Sequence, residues 1–354
     1  MANFNFDGHK LFYQFETTYK LLTDKSVNPV YVEYSPVGNC NHRCLFCAYD
    51  YIGYQSRRLD REKTLASIEG FAKLGTKAML FAGEGEPLIH PNLDEFIETA
   101  HKNGVASAIF SNGVLLTPKR VENLFDKLTF IRISLNAGDK ETYHKVHQKD
   151  DFDTVIENLR YAVAYKRKNN LSIDIGLQIV VIPENIHTIV ALAKLGQDIG
   201  VDYLAIKPFV QHNEQEGYRF EKNFSLNEVE AILDEAETYT TESYHVIARK
   251  EAFRKYHERT YDHCLALPLF SVVLSDGNVY SCGPYLGNDD FCYGNIYDTS
   301  VEAMMNGQKR ADILSFAKNK LDCKKECMPN CRLDAINRSL WELKNPSVKH
   351  IEFI

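Results

Sequence analysis

The stretch Cys40-Asn41-His42-Arg43-Cys44-Leu45-Phe46-Cys47 places three thiols at the spacing C-x3-C-x2-C on a short loop. Three thiolates this close together can ligate three irons of a four-iron cluster, whereas such clusters normally take four cysteine ligands. A dedicated trio therefore leaves the fourth iron for a ligand from elsewhere. Zinc also binds thiolates, so the spacing by itself leaves a zinc site open.

Around this loop the chain alternates short β-rich runs with longer helical patterns, which is typical of a parallel α/β fold. Strands are predicted at residues 30–34, 78–82, 106–110, 130–135, 173–182 and 203–207. Helices are predicted at 61–74, 93–103, 154–168 and 188–200. Six βα units are too few for a closed eight-stranded barrel, and in barrel-like folds the chemistry lies at the carboxyl ends of the strands. The Cys loop follows the first predicted strand.

The Cys loop resembles the signature of the radical S-adenosylmethionine (SAM) superfamily. The resemblance implies an α/β fold, with a partial (β/α)6 barrel similar to the TIM barrel and a small C-terminal α+β iron–sulfur domain. It also implies that Cys40, Cys44 and Cys47 hold a [4Fe–4S] cluster whose open iron binds SAM. Electron transfer from the cluster, which is reduced by a donor such as flavodoxin or ferredoxin, would cleave SAM to methionine and a 5′-deoxyadenosyl radical.

The stretch Gly83-Glu84-Gly85-Glu86-Pro87 follows the second predicted strand. It is similar to the family's glycine–glutamate–proline motif, which implies that Gly83, Gly85 and Glu86 contact the methionine ammonium of SAM. Glycine lets backbone approach a ligand closely, and a carboxylate suits an ammonium group. A plain glycine turn after a strand is the alternative.

Polar residues also follow the next two predicted strands, at positions where the family contacts SAM. Hydroxyl and amide side chains can hydrogen-bond a carboxylate or a ribose, although serine and Asn-Gly are equally common in turns. The fifth predicted strand resembles the segment that packs the adenine, with an apolar strand as the alternative. The candidates are Ser111, Asn112, Ser134, Asn136, Gln178 and Val181.

A second group of cysteines begins after a long Cys-free stretch from Cys47 to Cys264. Two of its members flank a hairpin signal at Asp276-Gly277, and the group resembles the C-terminal extensions called SPASM and Twitch, which carry auxiliary [4Fe–4S] clusters. Five thiols can ligate one such cluster with one left over, and Cys323 is the candidate for the spare. A structural zinc site with four cysteines is the alternative. The predicted ligands are Cys264, Cys282, Cys323, Cys327 and Cys331.

Cys292 belongs to neither pattern. A free cysteine is usually a small buried hydrophobe. The catalytic alternative is a hydrogen-atom donor that quenches a substrate radical, as some radical SAM epimerases need.

The predicted organisation is an N-terminal extension at 1–28, the barrel at 29–215, a helical connector at 216–260 and the auxiliary domain at 261–354. The stretch before the first strand is too short for the leader-binding domain of many peptide-modifying relatives. By this analogy we expect oxidation or epimerisation of a small polar substrate: an amino sugar, a cyclitol or a nucleotide-linked sugar. The alternatives are a peptide or protein maturase, and a non-catalytic metal-binding or electron-carrying scaffold.

Composition excludes several other classes of function. The formal net charge is −7, and the sequence has no basic block of the kind that binds nucleic acid. No secretory signal begins the chain, and no apolar run approaches the ~20 residues that cross a bilayer. Nine cysteines in a reducing compartment suit metal binding better than disulfides, so we expect a cytoplasmic protein without a membrane partner.

Overall fold

The computed structural model describes residues 8–215, 217–219, 224–254, 258–329 and 331–353. Its centre is a set of seven parallel strands, each hydrogen-bonded to the next in chain order. They are β1 (Tyr31–Tyr34), β2 (Ala78–Phe81), β3 (Ala106–Ser111), β4 (Leu128–Ile133), β5 (Asp174–Val181), β6 (Tyr203–Pro208) and β7 (His245–Ala248).

Three further strands extend the same sheet beyond β1. They are β8 (Phe270–Val273), β9 (Asn278–Tyr280) and β10 (Cys292–Asn295). β8 runs parallel to β1 with Tyr31 opposite Phe270, whereas β9 and β10 are antiparallel to their neighbours. The sheet order is β10-β9-β8-β1-β2-β3-β4-β5-β6-β7, with β10 and β7 at its two edges. The barrel is therefore open, and the C-terminal hairpin is part of its sheet.

Helices follow the strands and pack on the outer face of the sheet. In chain order they are α1 (Phe15–Leu22), α2 (Arg61–Lys73), α3 (Leu93–Lys102), α4 (Pro118–Leu124), α5 (Lys140–His147), α6 (Phe152–Lys168), α7 (Ile189–Ile199), α8 (Leu226–Glu237), α9 (Lys250–Arg254), α10 (Val301–Met305), α11 (Gln308–Asn319) and α12 (Asp334–Lys344). Local chemistry sets their ends: the Asp60 side chain caps α2 by accepting from Lys63 N at 2.9 Å. Gly200 ends α7 in the left-handed conformation that glycine favours.

Successive residues of each strand face opposite sides of the sheet. In β1, Val32 and Tyr34 are fully buried in the outer core, where the Tyr34 hydroxyl lies 2.9 Å from Ser67 Oγ on α2. Tyr31 faces the inner side and packs against a cluster formed by β2 and β3 that contains Leu80 and Ala108. The inner side of the barrel is therefore lined by the odd-numbered residues of β1 and their neighbours in register.

The predicted fold class is confirmed, and all six predicted strands are present with ends shifted by no more than a few residues. The predicted hairpin at Asp276-Gly277 is also observed. A capping box of Ser225 and Glu228 begins α8. The connector predicted to be helical also contains a strand that was not predicted, β7, which pairs with β6. The domain boundaries stay predictions, because β8 joins the C-terminal segment to the barrel sheet.

Candidate active site

The three-thiol loop leaves β1 at the carboxyl edge of the sheet and is held there by backbone contacts with α5. Leu45 N donates to Val146 O at 2.9 Å. On the other side, Gln215 Nε2 donates to the Cys47 carbonyl at 3.1 Å. The loop is thus bonded to two distant segments, which limits the positions its thiols can take.

The three cysteines are half-buried and lie close to one another. Burial raises the pKa of Cys40 to about 11, with the charge of Glu86 adding to the rise. Burial also raises the pKa of Cys44 well above its usual value, and negative charge on Cys47 and Cys40 raises it further. Such thiols hold their protons tightly. They lose these protons readily only when a metal ion binds in their place, because metal binding and thiol deprotonation are coupled.

Two histidines that sequence analysis did not select lie beside the loop. The ligand atoms of His42, Cys44 and His147 lie within 4.8 Å of one another. His42 Nε2 is 3.2 Å from Asp151 Oδ2, and its buried Nδ1 has no hydrogen-bond partner among the described residues. His42 stands inside the quoted motif and could have been noticed, whereas no spacing rule singles out His147.

The glycines of the 83–87 loop do allow close approach, but to other atoms of the chain itself. A Cβ on Gly85 would lie 2.1 Å from the Asn39 carbonyl oxygen, and a Cβ on Gly83 would lie 1.8 Å from Ser35 Oγ. Glu86 N donates to the Asn39 carbonyl at 3.1 Å. The two loops are therefore packed directly on each other, with the cluster loop positioned by the glycines.

Glu86 is buried and joins the second strand's loop to the third strand. Its carboxylate accepts hydrogen bonds from Ser111 Oγ at 2.7 Å, Asn112 N at 2.8 Å and Leu88 N at 3.1 Å. Burial raises its pKa to about 7, although these hydrogen bonds oppose the rise. Asn112 in turn donates through Nδ2 to Asn41 Oδ1 at 2.7 Å, so this group extends into the cluster loop.

The candidates on β4 and β5 form a second hydrogen-bonded group. Asn136 adopts a left-handed backbone (φ +54°), and its Oδ1 accepts from Val180 N at 2.9 Å. Its Nδ2 donates to the Ser134 carbonyl at 3.1 Å. Next to it, Gln178 is buried, and its Oε1 has no hydrogen-bond partner in the described part of the chain. A buried amide oxygen without a partner is costly unless a ligand supplies a donor.

Val181 lies in the adenine-packing segment, but its side chain faces the outer core. The side chains on the inner side are its neighbours Val180 and Ile182, which form a small apolar cluster with Phe209 and Phe46 of the Cys loop. Any side-chain contact of this segment with a ligand would thus come from Val180 and Ile182.

The five C-terminal cysteines come together as one group. The Cys323 thiol lies between those of Cys264 and Cys327, and hydrogen bonding to both raises its pKa. The Cys327 thiol also contacts that of Cys331. Burial raises the pKa of Cys282, and charge on Cys264 and Cys327 adds to this. Asn337 of α12 donates to Cys264 Sγ at 3.3 Å, so the group is enclosed by the last helix.

Arg332, next to Cys331, reaches into the barrel. It forms an ion pair with Glu33 of β1, whose carboxylate also accepts from the Tyr31 hydroxyl at 2.6 Å. The same guanidinium lies 5.7 Å from the centre of the Tyr31 ring. The loop that carries the C-terminal thiols is thereby tied to the inner side of the barrel.

Cys292 begins β10, at the edge of the sheet farthest from β7. Its side chain is buried, and Sγ lies 3.5 Å from the Gly294 carbonyl. Burial raises its pKa. These surroundings support a packing role for Cys292, and hydrogen-atom donation by its thiol stays a prediction.

The residues at the mouth of the barrel fit a SAM-binding iron–sulfur cluster. The donor set is three thiols, since the chain's other cysteines lie at Cys264 and beyond. Beside Asn136, which donates to the Gln178 carbonyl, Gln178 Oε1 has no hydrogen-bond partner among the described residues. The C-terminal group fits an auxiliary cluster, because it offers the four thiolates that a four-iron cluster takes.

Comparison with known proteins agrees with this geometry. Residues 34–196 match the radical SAM superfamily, and residues 264–332 match the SPASM iron–sulfur cluster-binding domain. A GTP 3′,8-cyclase from Chlorobaculum tepidum is 29% identical over 199 residues, which are 54% of this chain and 58% of that protein. The chain thus matches little more than half the length of this relative.

Solved structures share the fold at low identity. Streptococcus suis SuiB bound to S-adenosylmethionine superposes with a TM-score of 0.67 at 14% identity, covering 93% of this chain and 77% of SuiB. The protein anSMEcpe with bound AdoMet gives a TM-score of 0.60 at 17% identity, covering 89% of this chain and 96% of its own. Across the described residues, no helix is both long and apolar enough to cross a membrane.

Proposed function

Since this chain belongs to the radical SAM superfamily and carries a SPASM domain, we propose that it oxidises a small polar substrate by removing a hydrogen atom and then an electron. When bound, the SAM-binding [4Fe–4S] cluster, SAM and one auxiliary [4Fe–4S] cluster supply the hydrogen-abstracting radical and the electron acceptor. The chain's own residues ligate, orient and enclose these groups.

Each candidate has a defined task in this proposal. Cys40, Cys44 and Cys47 ligate the first cluster. Gly85 allows their loop to pack closely against the 83–87 loop. Glu86 holds the ends of β2 and β3 together, and Gln178 offers its partnerless amide oxygen to a SAM donor. Ser111, Asn112, Ser134 and Asn136 keep the strand ends in register around the mouth.

The ion pair between Arg332 and Glu33 is the observation that favours oxidation over epimerisation. It ties Cys331, a proposed auxiliary ligand, to a residue on the inner side of the barrel. An electron acceptor close to the substrate favours two-electron oxidation, in which the substrate radical gives up its electron and a proton. Epimerisation instead requires a hydrogen donor, and the candidate Cys292 lies in the edge strand β10.

The leading alternative is a peptide maturase. SuiB has been solved bound to its precursor peptide SuiA, at a TM-score of 0.66 and 15% identity. Sequence identity this low indicates a shared fold but not a shared substrate. The curated relative named GTP 3′,8-cyclase acts on a nucleotide, which supports a small polar substrate instead.

The test uses anaerobically reconstituted protein with SAM, a reductant and a panel of nucleotide-linked sugars, amino sugars, cyclitols and peptides. We expect one of the three small-molecule classes to increase 5′-deoxyadenosine formation and to yield a product lacking two hydrogens. A product of unchanged mass and inverted configuration would contradict oxidation. Turnover of peptides alone would favour the maturase, and absence of SAM cleavage under all conditions would favour a non-catalytic scaffold.

A further inference from the structure

A half-buried arginine, Arg259, lies against the C-terminal thiols. Its guanidinium is close enough to the Cys327 thiol to hydrogen-bond it. Its Nη2 donates to the carbonyl of Met328, in the loop between Cys327 and Cys331. The side chain is therefore held against the loop that carries two of the predicted auxiliary ligands.

A buried aromatic ring also contacts this guanidinium. The central carbon of the guanidinium lies 5.1 Å from the centre of the Tyr261 ring, a distance at which a cation is attracted to the face of the ring. Tyr261 is fully buried, and its hydroxyl donates to Asp334 Oδ1 on α12 at 2.9 Å. Because the ring is itself held in place, the guanidinium has little freedom to turn away from the thiols.

Two carboxylates of this region pair with other cations. Asp334 forms an ion pair with Arg338 at 2.8 Å, and Asp262 forms one with Lys324 at 2.5 Å. Across the part of the chain that the structure describes, no carboxylate forms an ion pair with Arg259. A partly buried charge without an opposite charge beside it is costly. Negative charge on the neighbouring thiolates would offset that cost.

One nitrogen of the Arg259 guanidinium still needs an acceptor. Nη1 is buried and has no hydrogen-bond partner among the described residues. Such a donor is costly unless an acceptor reaches it, and hydrogen bonds from arginine to anionic acceptors are strong. The sulfur atoms of an iron–sulfur cluster accept hydrogen bonds. A cluster bound at the neighbouring thiols would therefore satisfy both the charge and the free donor of this side chain.

A second donor reaches the same thiols from α12. Asn337 Nδ2 donates to Cys264 Sγ at 3.3 Å, while its Oδ1 accepts from Ala266 N at 2.8 Å and so fixes the orientation of the amide. Asn337 supplies a hydrogen bond without charge, whereas Arg259 supplies both. Net charge and hydrogen bonds to sulfur are among the factors that set the reduction potential of a cluster.

We propose that Arg259 raises the reduction potential of the auxiliary cluster and thereby makes that cluster the acceptor of the substrate radical's electron. This inference rests on the proposed function. A cluster gains one negative charge on reduction, so a fixed positive charge beside it favours the reduced state. The substrate radical loses one electron and one proton. The electron reduces the cluster by one unit, and the proton passes to water. An oxidised carrier of the flavodoxin or ferredoxin class then takes up the electron.

The test is an anaerobic redox titration of the Cys40/Cys44/Cys47→Ala triple variant, followed by electron paramagnetic resonance. This parent variant isolates the auxiliary cluster, because the first cluster has lost its ligands, and the titration needs neither SAM nor substrate. We expect Arg259→Gln to lower the midpoint potential by at least about 59 mV, a tenfold change in a one-electron equilibrium. Arg259→Lys keeps the charge and should recover more than half of that fall.

Lys325→Met is the matched control, because Lys325 lies between Cys323 and Cys327 in the same loop but is exposed and pairs with Asp322. Its midpoint potential should equal that of the parent variant. Iron is counted in every sample, so that loss of the cluster is not read as a change in potential. Arg259→Met is a second neutral variant and replaces Arg259→Gln if the latter does not retain iron.

Two results would overturn the inference. The first is equal midpoint potentials in Arg259→Gln and the parent variant, which would leave oxidation itself standing. The second is zinc in place of iron at the C-terminal thiols. A lowered potential in Arg259→Gln, together with a wild-type product of unchanged mass, would support the role of Arg259 and refute only the proposed oxidation.

Discussion

His147 Nδ1 lies 3.0 Å from the Sγ of Cys44, the central thiol of the three-thiol loop. The other ring nitrogen, Nε2, lies 2.8 Å from the Leu135 carbonyl, which only accepts, so Nε2 carries the hydrogen. Burial lowers the pKa of His147 to about 3, followed by the charge of His42. The neutral ring therefore presents a lone pair to the thiol and accepts a hydrogen bond from it.

Replacing His147 should impair the first cluster, because the ring holds the thiol of Cys44, a proposed iron ligand, in position. In His147→Phe we expect roughly ten- to hundredfold slower SAM cleavage, the usual effect of removing a residue that supports a metal ligand. The measurement is 5′-deoxyadenosine formation together with iron content. His144→Phe is the control, since His144 is on the same helix but exposed. Equal rates in both variants would contradict the assigned role.

Gly85→Ala should displace the cluster loop without affecting the C-terminal thiols. The new Cβ would lie 2.1 Å from the Asn39 carbonyl oxygen, and relieving such overlap typically costs about 1–3 kcal/mol. We expect iron to fall towards the roughly four atoms of one cluster. At Gly283 a Cβ would meet nothing within 4 Å, so Gly283→Ala should keep the wild-type iron content. Full iron in Gly85→Ala would show that the loop accommodates the change.

Iron counting separates an auxiliary cluster from a structural zinc. Wild-type protein should contain about eight irons, and the Cys40/Cys44/Cys47→Ala triple variant about four. Cys323→Ala should keep the auxiliary cluster if Cys323 is the spare thiol. About four irons in the wild type, falling to nearly none in the triple variant with one zinc retained, would make the C-terminal site structural. Oxidation through that site would then be excluded.

Cys292→Ala should turn over substrate at the wild-type rate, because its thiol is buried in the edge strand β10. The stability cost should be small, since only one sulfur is removed. The assay is product formation under substrate saturation. A large loss of product, with SAM cleavage preserved, would instead identify Cys292 as the hydrogen-atom donor and epimerisation as the reaction.

Lys207→Met should stabilise the ligand-free protein in a pH-dependent way. The folded pKa is lowered to about 7, while an unfolded lysine titrates near 10.4. The folded state therefore holds this proton less tightly, so wild-type stability falls as the pH drops from about 10 to about 7 and is flat below. The gain in melting temperature of Lys207→Met should be largest at and below pH ~7 and vanish near pH ~10.

Anaerobic thermal scans at several pH values measure this difference. Lys140→Met is the control variant, because Lys140 is exposed and pairs with Asp153. A melting-temperature difference that does not change with pH would show that the Lys207 charge is not destabilising in the folded protein.

Much of this protein follows from local sequence. The spacing of Cys40, Cys44 and Cys47 defines a metal site because side chains on one short loop are necessarily close. Alternating β-rich and helical runs predict the parallel barrel because strand and helix periodicities are local properties. The turn at Asp276-Gly277 and the capping box at Ser225 were predictable for the same reason.

Only the tertiary structure decided which distant residues meet. The contact of His147 with Cys44, the ion pair of Arg332 with Glu33 and the pairing of β8 with β1 all join segments far apart in the chain. β7 is short, so its composition alone does not identify it as a strand. Its pairing in register with β6 does. Neither the burial of Lys207 nor the arginines around it can be read from its neighbours in the sequence. Charge clusters form through packing, and packing is non-local.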